Sequence, residues 1–275
     1  MLSINTNVGA LNASQSSYSV NKSMEDSMAR LSSGKRINSG ADDAAGLFIT
    51  KRMAGEIQGL NQAVRNAADA QAYLQTTEGA MEEVHTILLR IRELAVQASN
   101  GTYTSQDRVA LQAEVSDLQS EINRIATDTT FNNIGVLSGA ASTGITFQVG
   151  ADNTQTMTVS IPRITISAAG INISTTNQLS TQAAAMNYIS TIDSAISLIS
   201  TNRGTYAAAM NRLDHAIANM QNVATNLSMA KGRIEDADFA AETSNLARVQ
   251  VLQQASMAML AQANASKQNI LSLFQ

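Results

Sequence analysis

Apolar residues recur at helical spacing from the start of the chain, at Ile4, Val8, Leu11, Tyr18, Met24, Met28 and Leu31. That spacing predicts an amphipathic helix over residues 5–32. Two turn-forming clusters follow, Ser32-Ser33-Gly34 and Asn38-Ser39-Gly40, whose glycines accept positive φ. Asp42 and Asp43 then stand where carboxylates cap the next helix and oppose its dipole. Over 43–99, Ile57, Leu60, Val64, Ala67, Leu74, Met81, Leu88 and Ala95 are separated by multiples of alternating three and four, a coiled-coil seam. A helix of ~57 residues runs roughly 85 Å. Asn100-Gly101 stops it, and Ser105 and Asp107 start another. Leu111, Val115, Leu118, Ile122 and Ile125 form the stripe of that third helix, which ends near Asn132-Asn133.

Between about 140 and 177 the period changes to two. Residues 145–149, 157–161 and 164–166 alternate and are β-branched, around a turn at Gly150, Asp152 and Asn153. Two or three short strands forming a hairpin are expected there. Helical spacing then resumes through Ile189, Ile192, Ile196, Ile199, Arg203, Tyr206, Met210, Leu213, Ile217, Met220, Ala224 and Leu227. A sustained heptad needs partner helices, which the helices at 43–99 and 105–130 supply in an antiparallel bundle. Arg203 interrupts the stripe and reads as a snorkelling or locally paired arginine. Lys231-Gly232 loosens the pattern before a last amphipathic helix with Leu246, Val249, Leu252, Met259, Leu260, Ala263, Ile270 and Leu273. The fold class is mainly α, a long antiparallel coiled-coil helical bundle with a small β-hairpin region. Its expected segments are 1–42, 43–139, 140–177, 178–230 and 231–275.

Composition supports long helices. One proline, Pro162, stands in 275 residues, aromatics are 4%, and tryptophan is absent. A narrow seam lined by small residues fits this better than an aromatic-centred globule. The net charge of −4 comes with no basic face, so nucleic acid is not an expected partner. Zero cysteine excludes disulfides and cysteine metal sites. The opening MLSINTNVGALNASQ has neither the charged nor the apolar region of a secretory signal, and no apolar run is long enough for membrane insertion.

No chemistry gathers. A phosphate loop at Gly34-Lys35 fails, because Ala29 stands where a glycine is needed and Arg36 where Ser or Thr is needed. His85 and His215 read as structural, and Asp42-Asp43 and Glu235-Asp236-Asp238 read as helix caps. Catalytic, cofactor-binding and metal residues are therefore none, and no cofactor is expected. Each end helix has an apolar stripe that a single pair cannot hide. Repeating the molecule through head-to-tail contacts would bury the remainder in a helical polymer.

The stretch LSSGKRINSGADDAAGLFI, Leu31 to Ile49, resembles the N-terminal signature of bacterial flagellins. ARVQVLQQASMAMLAQANASKQNILSLF, Ala247 to Phe274, resembles their C-terminal run. The likeness spans most of the chain outside about 140–180, where flagellins usually carry variable outer domains. It implies a structural, non-enzymatic subunit whose homo-polymer is the extracellular flagellar filament, secreted through type III export without a cleaved signal peptide and used for motility. The end helices would form an inner core assembled through Ile4, Val8, Leu11, Tyr18, Met28, Leu31, Leu246, Val249, Leu252, Met259, Leu260, Ile270, Leu273 and Phe274. A flagellar export chaperone would cover the C-terminal helix, and filament cap and hook-junction proteins would meet the ends of the polymer. RIRELAVQ, Arg90 to Gln97, resembles the segment that Toll-like receptor 5 reads. It implies innate-receptor or protomer contacts at Arg90, Leu94, Gln97 and Glu114, with Leu94 as an apolar knob beside an exposed arginine. Leu89 and Leu118 depart from the receptor-binding pattern. Two rivals are a hook–filament junction protein and a soluble coiled-coil adaptor. The adaptor predicts a stable monomer or dimer with ordered ends.

Overall fold

The computed structural model describes residues 6–139, 144–167, 170–173 and 178–272, with the side chains of 267–272 excepted. Five helices carry the described chain: α1 (Val8–Ser33), α2 (Ala44–Ala98), α3 (Ser105–Asp128), α4 (Gln182–Glu235) and α5 (Phe239–Ser272). Four short strands accompany them: β1 (Thr130–Phe131), β2 (Ile134–Gly135), β3 (Ile145–Gln148) and β4 (Thr156–Val159). The chain forms two compact units, one of Met1–Ile57 with Thr225–Gln275 and one of Gln58–Ala224.

In the Gln58–Ala224 unit, α2, α3 and α4 form the bundle that the heptads predict. Polar links give the directions. Gln71 meets Asp214, Arg203 meets Glu78 and Glu82, and Arg92 meets Asp193, so α2 and α4 run antiparallel. Arg90 meets Glu114, which sets α3 antiparallel to α2. The seam of α2 buries Leu60, Ala63, Ala67, Ala70, Leu74, Thr77, Met81, Val84, Leu88, Ile91, Ala95 and Ala98, alternating three and four without interruption. The sequence reading found only every second of these rows, because small and polar residues such as Ala63, Ala70 and Thr77 do not stand out as apolar. Val64 is half-buried beside the seam. On α4 the second row is Tyr188, Ala195, Asn202 and Ala209, one residue before the expected Ile189, Ile196, Arg203 and Met210, which are half-buried. Arg203 is paired not locally but across the bundle, with Glu78 and Glu82 of α2.

Local chemistry sets the ends of the elements. Thr104, one residue before the expected start, caps α3, and Thr104 and Asp107 exchange hydrogen bonds as a capping box. Arg108 donates to the carbonyls of Ala98 and Asn100, satisfying the C-terminal end of α2. Asn132 and Asn133 both hold positive φ, 49° and 61°, and turn β1 antiparallel onto β2. That is the primed turn a two-residue hairpin requires. The reading of these asparagines as a helix end missed the hairpin. β3 and β4 pair antiparallel from Ile145↔Val159 to Gln148↔Thr156. The expected third strand at 164–166 is not a strand. Ile164 and Ile166 are instead buried, with the Ile164 amide bonded to the Leu137 carbonyl.

Two buried tyrosines on α4 differ in how their hydroxyls are served. Gln119 donates from Nε2 to the Tyr188 hydroxyl at 2.7 Å. The Tyr206 hydroxyl is buried with no hydrogen-bond partner among the described residues. Burial pushes the Tyr188 phenol up to about 12. An unsatisfied buried hydroxyl costs ~1–3 kcal/mol, whereas a satisfied one contributes ~1 kcal/mol. Thermal unfolding followed by circular dichroism is therefore expected to show Tyr206→Phe at or above the parent Tm and Tyr188→Phe below it.

Candidate functional site

Within the unit that holds both chain ends, α1 and α5 pack antiparallel along a seam of small and polar residues. α1 turns inward Ala10, Ala13, Ser17, Val20, Met24, Ser27 and Leu31, and α5 turns inward Glu242, Leu246, Val249, Gln253, Ser256, Leu260 and Ala263. Both sets alternate three and four. Side-chain amides fix the register: Asn245 donates to Ser27 Oγ at 3.1 Å, Gln253 to Asn21 Oδ1 at 2.8 Å, and Asn7 to the Ala263 carbonyl at 3.2 Å. Small residues let the two backbones approach closely, so little large apolar surface is consumed in the pair.

The larger apolar side chains face out. Val8, Leu11, Tyr18 and Met28 on α1 and Leu252 and Met259 on α5 are exposed, Tyr18 by 70%. Leu31, Leu246, Val249 and Leu260 are seam residues. The expected single stripe on α1 is thus two stripes, Met24 and Leu31 inward and Val8, Leu11, Tyr18 and Met28 outward. Phe239, Val251 and Met257 are also exposed, and the sequence reading passed over them. Ile4, Leu273 and Phe274 lie outside the described residues, and only the backbone of Ile270 is described.

The connectors between the helices meet. Gly34, at φ 71°, ends α1 in the left-handed conformation, which frees the chain to leave the helix. Its carbonyl accepts from the Ala237 amide at 3.0 Å, and the Arg36 amide donates to the Glu235 carbonyl at 2.7 Å. Arg36 adds a bond from its guanidinium to the Ile234 carbonyl at 2.7 Å. Glu235 is only 6% exposed and takes Lys35 at 2.6 Å and Lys231 at 3.5 Å. It pairs with lysines and does not cap a helix, which corrects the sequence reading. α4 also runs through Lys231 and Gly232, and the break falls at 236–238. Asp238 caps α5, accepting from the Ala240 and Ala241 amides. Asp43 caps α2 by accepting from Gly46 at 2.8 Å. Asp42 instead ties the Asn38-Ser39 turn and faces Arg30 at 3.9 Å. A Cβ on Gly46 would meet Ile37 Cδ1 at 2.7 Å, so this close approach requires glycine.

In the bundle unit, the exposed Arg90 holds Glu114 at 2.8 Å and Glu93 at 2.6 Å. The adjacent Gln97 donates to the Tyr103 hydroxyl at 2.9 Å. Leu94 is only 1% exposed, because it points into the bundle beside Ala95. It does not form the apolar knob expected next to Arg90. Leu89 and Val96 are the exposed apolar side chains there. His85 is half-buried, while His215 is exposed. Among the described residues no group of three or more His, Asp or Glu gathers in metal-binding geometry.

Paired end helices and a heptad bundle define a mainly helical, coiled-coil protein. Residues 4–142 match the bacterial flagellin N-terminal helical region, and residues 189–274 match the bacterial flagellin C-terminal helical region. The chain is 40% identical to a flagellin of Halalkalibacterium halodurans over 273 residues, 99% of each chain. It is 39% identical to a Bacillus subtilis flagellin, again over 99% of each. A flagellar filament core protein of Brachyspira hyodysenteriae is 38% identical over 99% of each. The crystal structure of Bacillus cereus flagellin superposes with a TM-score of 0.50 at 35% identity, covering 61% of this chain and 94% of that one. A hook-associated protein structure from Vibrio parahaemolyticus shares the fold, with a TM-score of 0.59 at 16% identity, covering 71% and 100%. The chain belongs to the bacterial flagellin family, a family of structural proteins.

The connector joint carries a pH dependence of definite sign. The Lys35 hydrogen bond, with the charges of Lys231 and Lys35, holds the Glu235 carboxyl below its ordinary value. Glu235 in turn raises Lys35. A depressed carboxyl stabilises the fold above the ordinary glutamate value of about 4.3, and that contribution is lost as pH falls through the lower folded value. The raised lysine contributes at every pH below its own ordinary range. Amide-exchange protection factors of Arg36 and Ala237 are expected to be highest near neutral pH and to fall below about pH 4. Glu235→Gln is expected to lower them already at pH 7. Equal protection at pH 3 and pH 7 would remove Glu235 from this role.

Proposed function

We propose that this chain is the structural subunit of a bacterial flagellar filament, polymerising into the extracellular helical fibre that serves swimming motility. One observation carries the reading. The end helices pair through small and polar residues and turn Val8, Leu11, Tyr18, Val251, Leu252 and Met259 outward. Apolar rows of this kind are covered by a partner, and head-to-tail repetition of one subunit covers all of them in an open helical array. In this arrangement the end helices form the inner tube, residues 43–230 the surrounding shell, and residues 140–177 the outward side. The family memberships at both ends and the filament-core names of relatives support the same reading.

The partners follow from the same surfaces. An export chaperone of the flagellar type III route, by which the chain leaves without a cleaved signal, would cover the outward row of α5. Cap and hook-junction proteins would meet the exposed end-helix surfaces at the two ends of the polymer. Toll-like receptor 5 would read the Arg90, Gln97 and Glu114 face, with Leu94 acting from inside the bundle.

Seeded growth tests the central claim. Purified chain added to filament seeds is expected to elongate them by electron microscopy, and a fragment lacking residues 1–40 and 236–275 is expected not to. Tyr18→Ser and Leu252→Ser are each expected to raise the critical concentration by roughly an order of magnitude, as loss of ~1.5–3 kcal/mol of burial implies. Their helicity should remain unchanged. Failure of the intact chain to elongate seeds would favour the junction protein or the adaptor. For the receptor claim, Arg90→Ala is expected to weaken activation of reporter cells bearing the receptor while leaving Tm within about 1 °C, because the pair is exposed. Undiminished activation would discard that face.

A further inference from the structure

In the bundle unit, a groove of about 510 Å³ lies beside β4 and α4. Met157, Val159 and Ala208 give it apolar walls, and Arg212 lines it as well. Arg212 is exposed and makes no hydrogen bond or ion pair among the described residues. Asn202, also lining the groove, buries its Nδ2 without a partner. Other arginines of this unit are engaged within the chain: Arg90, Arg92, Arg124 and Arg203 by carboxylates, and Arg65, Arg108 and Arg163 by amide or backbone carbonyl oxygens. The groove therefore combines an unneutralised guanidinium with a wall for a short aliphatic stem. That is the chemistry of a glutamate or aspartate site.

The chain carries its own candidate for the other half. On α2, Asp69 and Glu83 are exposed and make no ion pair among the described residues. They are two heptads apart on one outer stripe, about 21 Å at ~1.5 Å per residue. Arg65, one turn before Asp69, donates to Gln62 and leaves the aspartate free. With a net charge of −4, the surface has carboxylates in excess, so copies of the chain repel unless cations such as Arg212 are matched across them.

We infer that the Arg212 groove receives a carboxylate from the outer stripe of α2, Asp69 or Glu83, on a second copy of this chain. The inference rests on the filament reading and adds a bundle-to-bundle contact to it. The two halves of the contact are different surfaces of the same molecule, so it is heterologous and propagates without closing. A bidentate guanidinium pair would set the register between neighbours, with the apolar walls excluding water around it.

Charge reversal tests it in the full chain. Arg212→Glu is expected to raise the critical concentration for seeded growth roughly tenfold, as like charges meet across the contact. Arg212→Gln should have a smaller effect in the same direction. Combining Arg212→Glu with Glu83→Arg or Asp69→Arg is expected to restore growth, because every copy then carries both reversed halves. Asp117→Arg, on α3, is the control and should not restore it. Normal growth of Arg212→Glu filaments would overturn the inference. Rescue by Asp117→Arg alone, or by no reversal, would overturn the assignment to α2. If the unaltered chain also fails to elongate seeds, the filament reading itself has failed. Because the chain has no cysteine, Ala208→Cys combined with Glu83→Cys in one variant and with Asp69→Cys in another gives a second readout. Oxidised filaments are expected to yield a covalent ladder on gels and oxidised monomers none, and ladders absent from both would count against the contact.

Discussion

The backbone bridge between the two connectors is the constraint on which the end-helix pair depends. Arg36 and Ala237 each donate across to the opposite strand, and the Lys35–Glu235–Lys231 cluster closes over them. A helix pair joined at neither end is free to slide by a heptad, since a three-four seam offers nearly equivalent registers. Here the exits of α1 and α4 are tied within a few ångströms. The contacts beyond the tie, Arg30 with Glu242 and then Ser27 with Asn245, are then fixed, and the later polar contacts repeat that register outward. Buried ionic groups are weak sources of net stability but good sources of uniqueness. Glu235 is used in that second sense.

The two units of the chain solve the heptad problem with different side chains. In the bundle, leucine, isoleucine, methionine and tyrosine share the seam of α2 and α4 with alanine, and removal of that apolar surface from water stabilises it. In the end pair, serine, alanine and glutamine share the seam with valine, methionine and leucine, and asparagine and glutamine amides bridge it. Hydrogen bonds there specify register while contributing modest net stability. The large apolar groups of α1 and α5 remain outside, available to neighbours. A filament subunit needs that division, with a unit that holds its fold alone and ends whose full burial comes only with assembly.

Arg90 and Arg212 show how the same residue type takes two roles on one bundle. Arg90 is satisfied inside its own chain by Glu93 and Glu114. Any partner must then share or displace those carboxylates. Arg212 has no such partner among the described residues, so a carboxylate from outside meets no competitor. Fully satisfied surface pairs contribute little to stability, but they decide which cations remain available for recognition.

The amino-acid sequence by itself determined the long helices, their heptads, the connectors and the family. Periodicity survives any tertiary arrangement, because it is a property of spacing along one chain. Near-absence of proline left few places for a helix to break, and the stops at Asn100-Gly101 and Ser32-Ser33-Gly34 fell where turn chemistry put them. Tertiary structure decided which side of each helix faces a partner. Ala63, Thr77, Asn202 and Ser27 are seam residues only because another helix lies against them, and hydrophobicity alone cannot mark a small or polar residue as buried. Val8 and Tyr18 face outward for the converse reason, since the inward positions of α1 run through Ala10, Ser17 and Met24 and leave these two on the other side of the helix. Leu94 was read as a surface knob because a helix position beside an arginine does not reveal its own rotation. Glu235 was read as a cap because its lysines arrive from the far end of the chain, a meeting that no local pattern records.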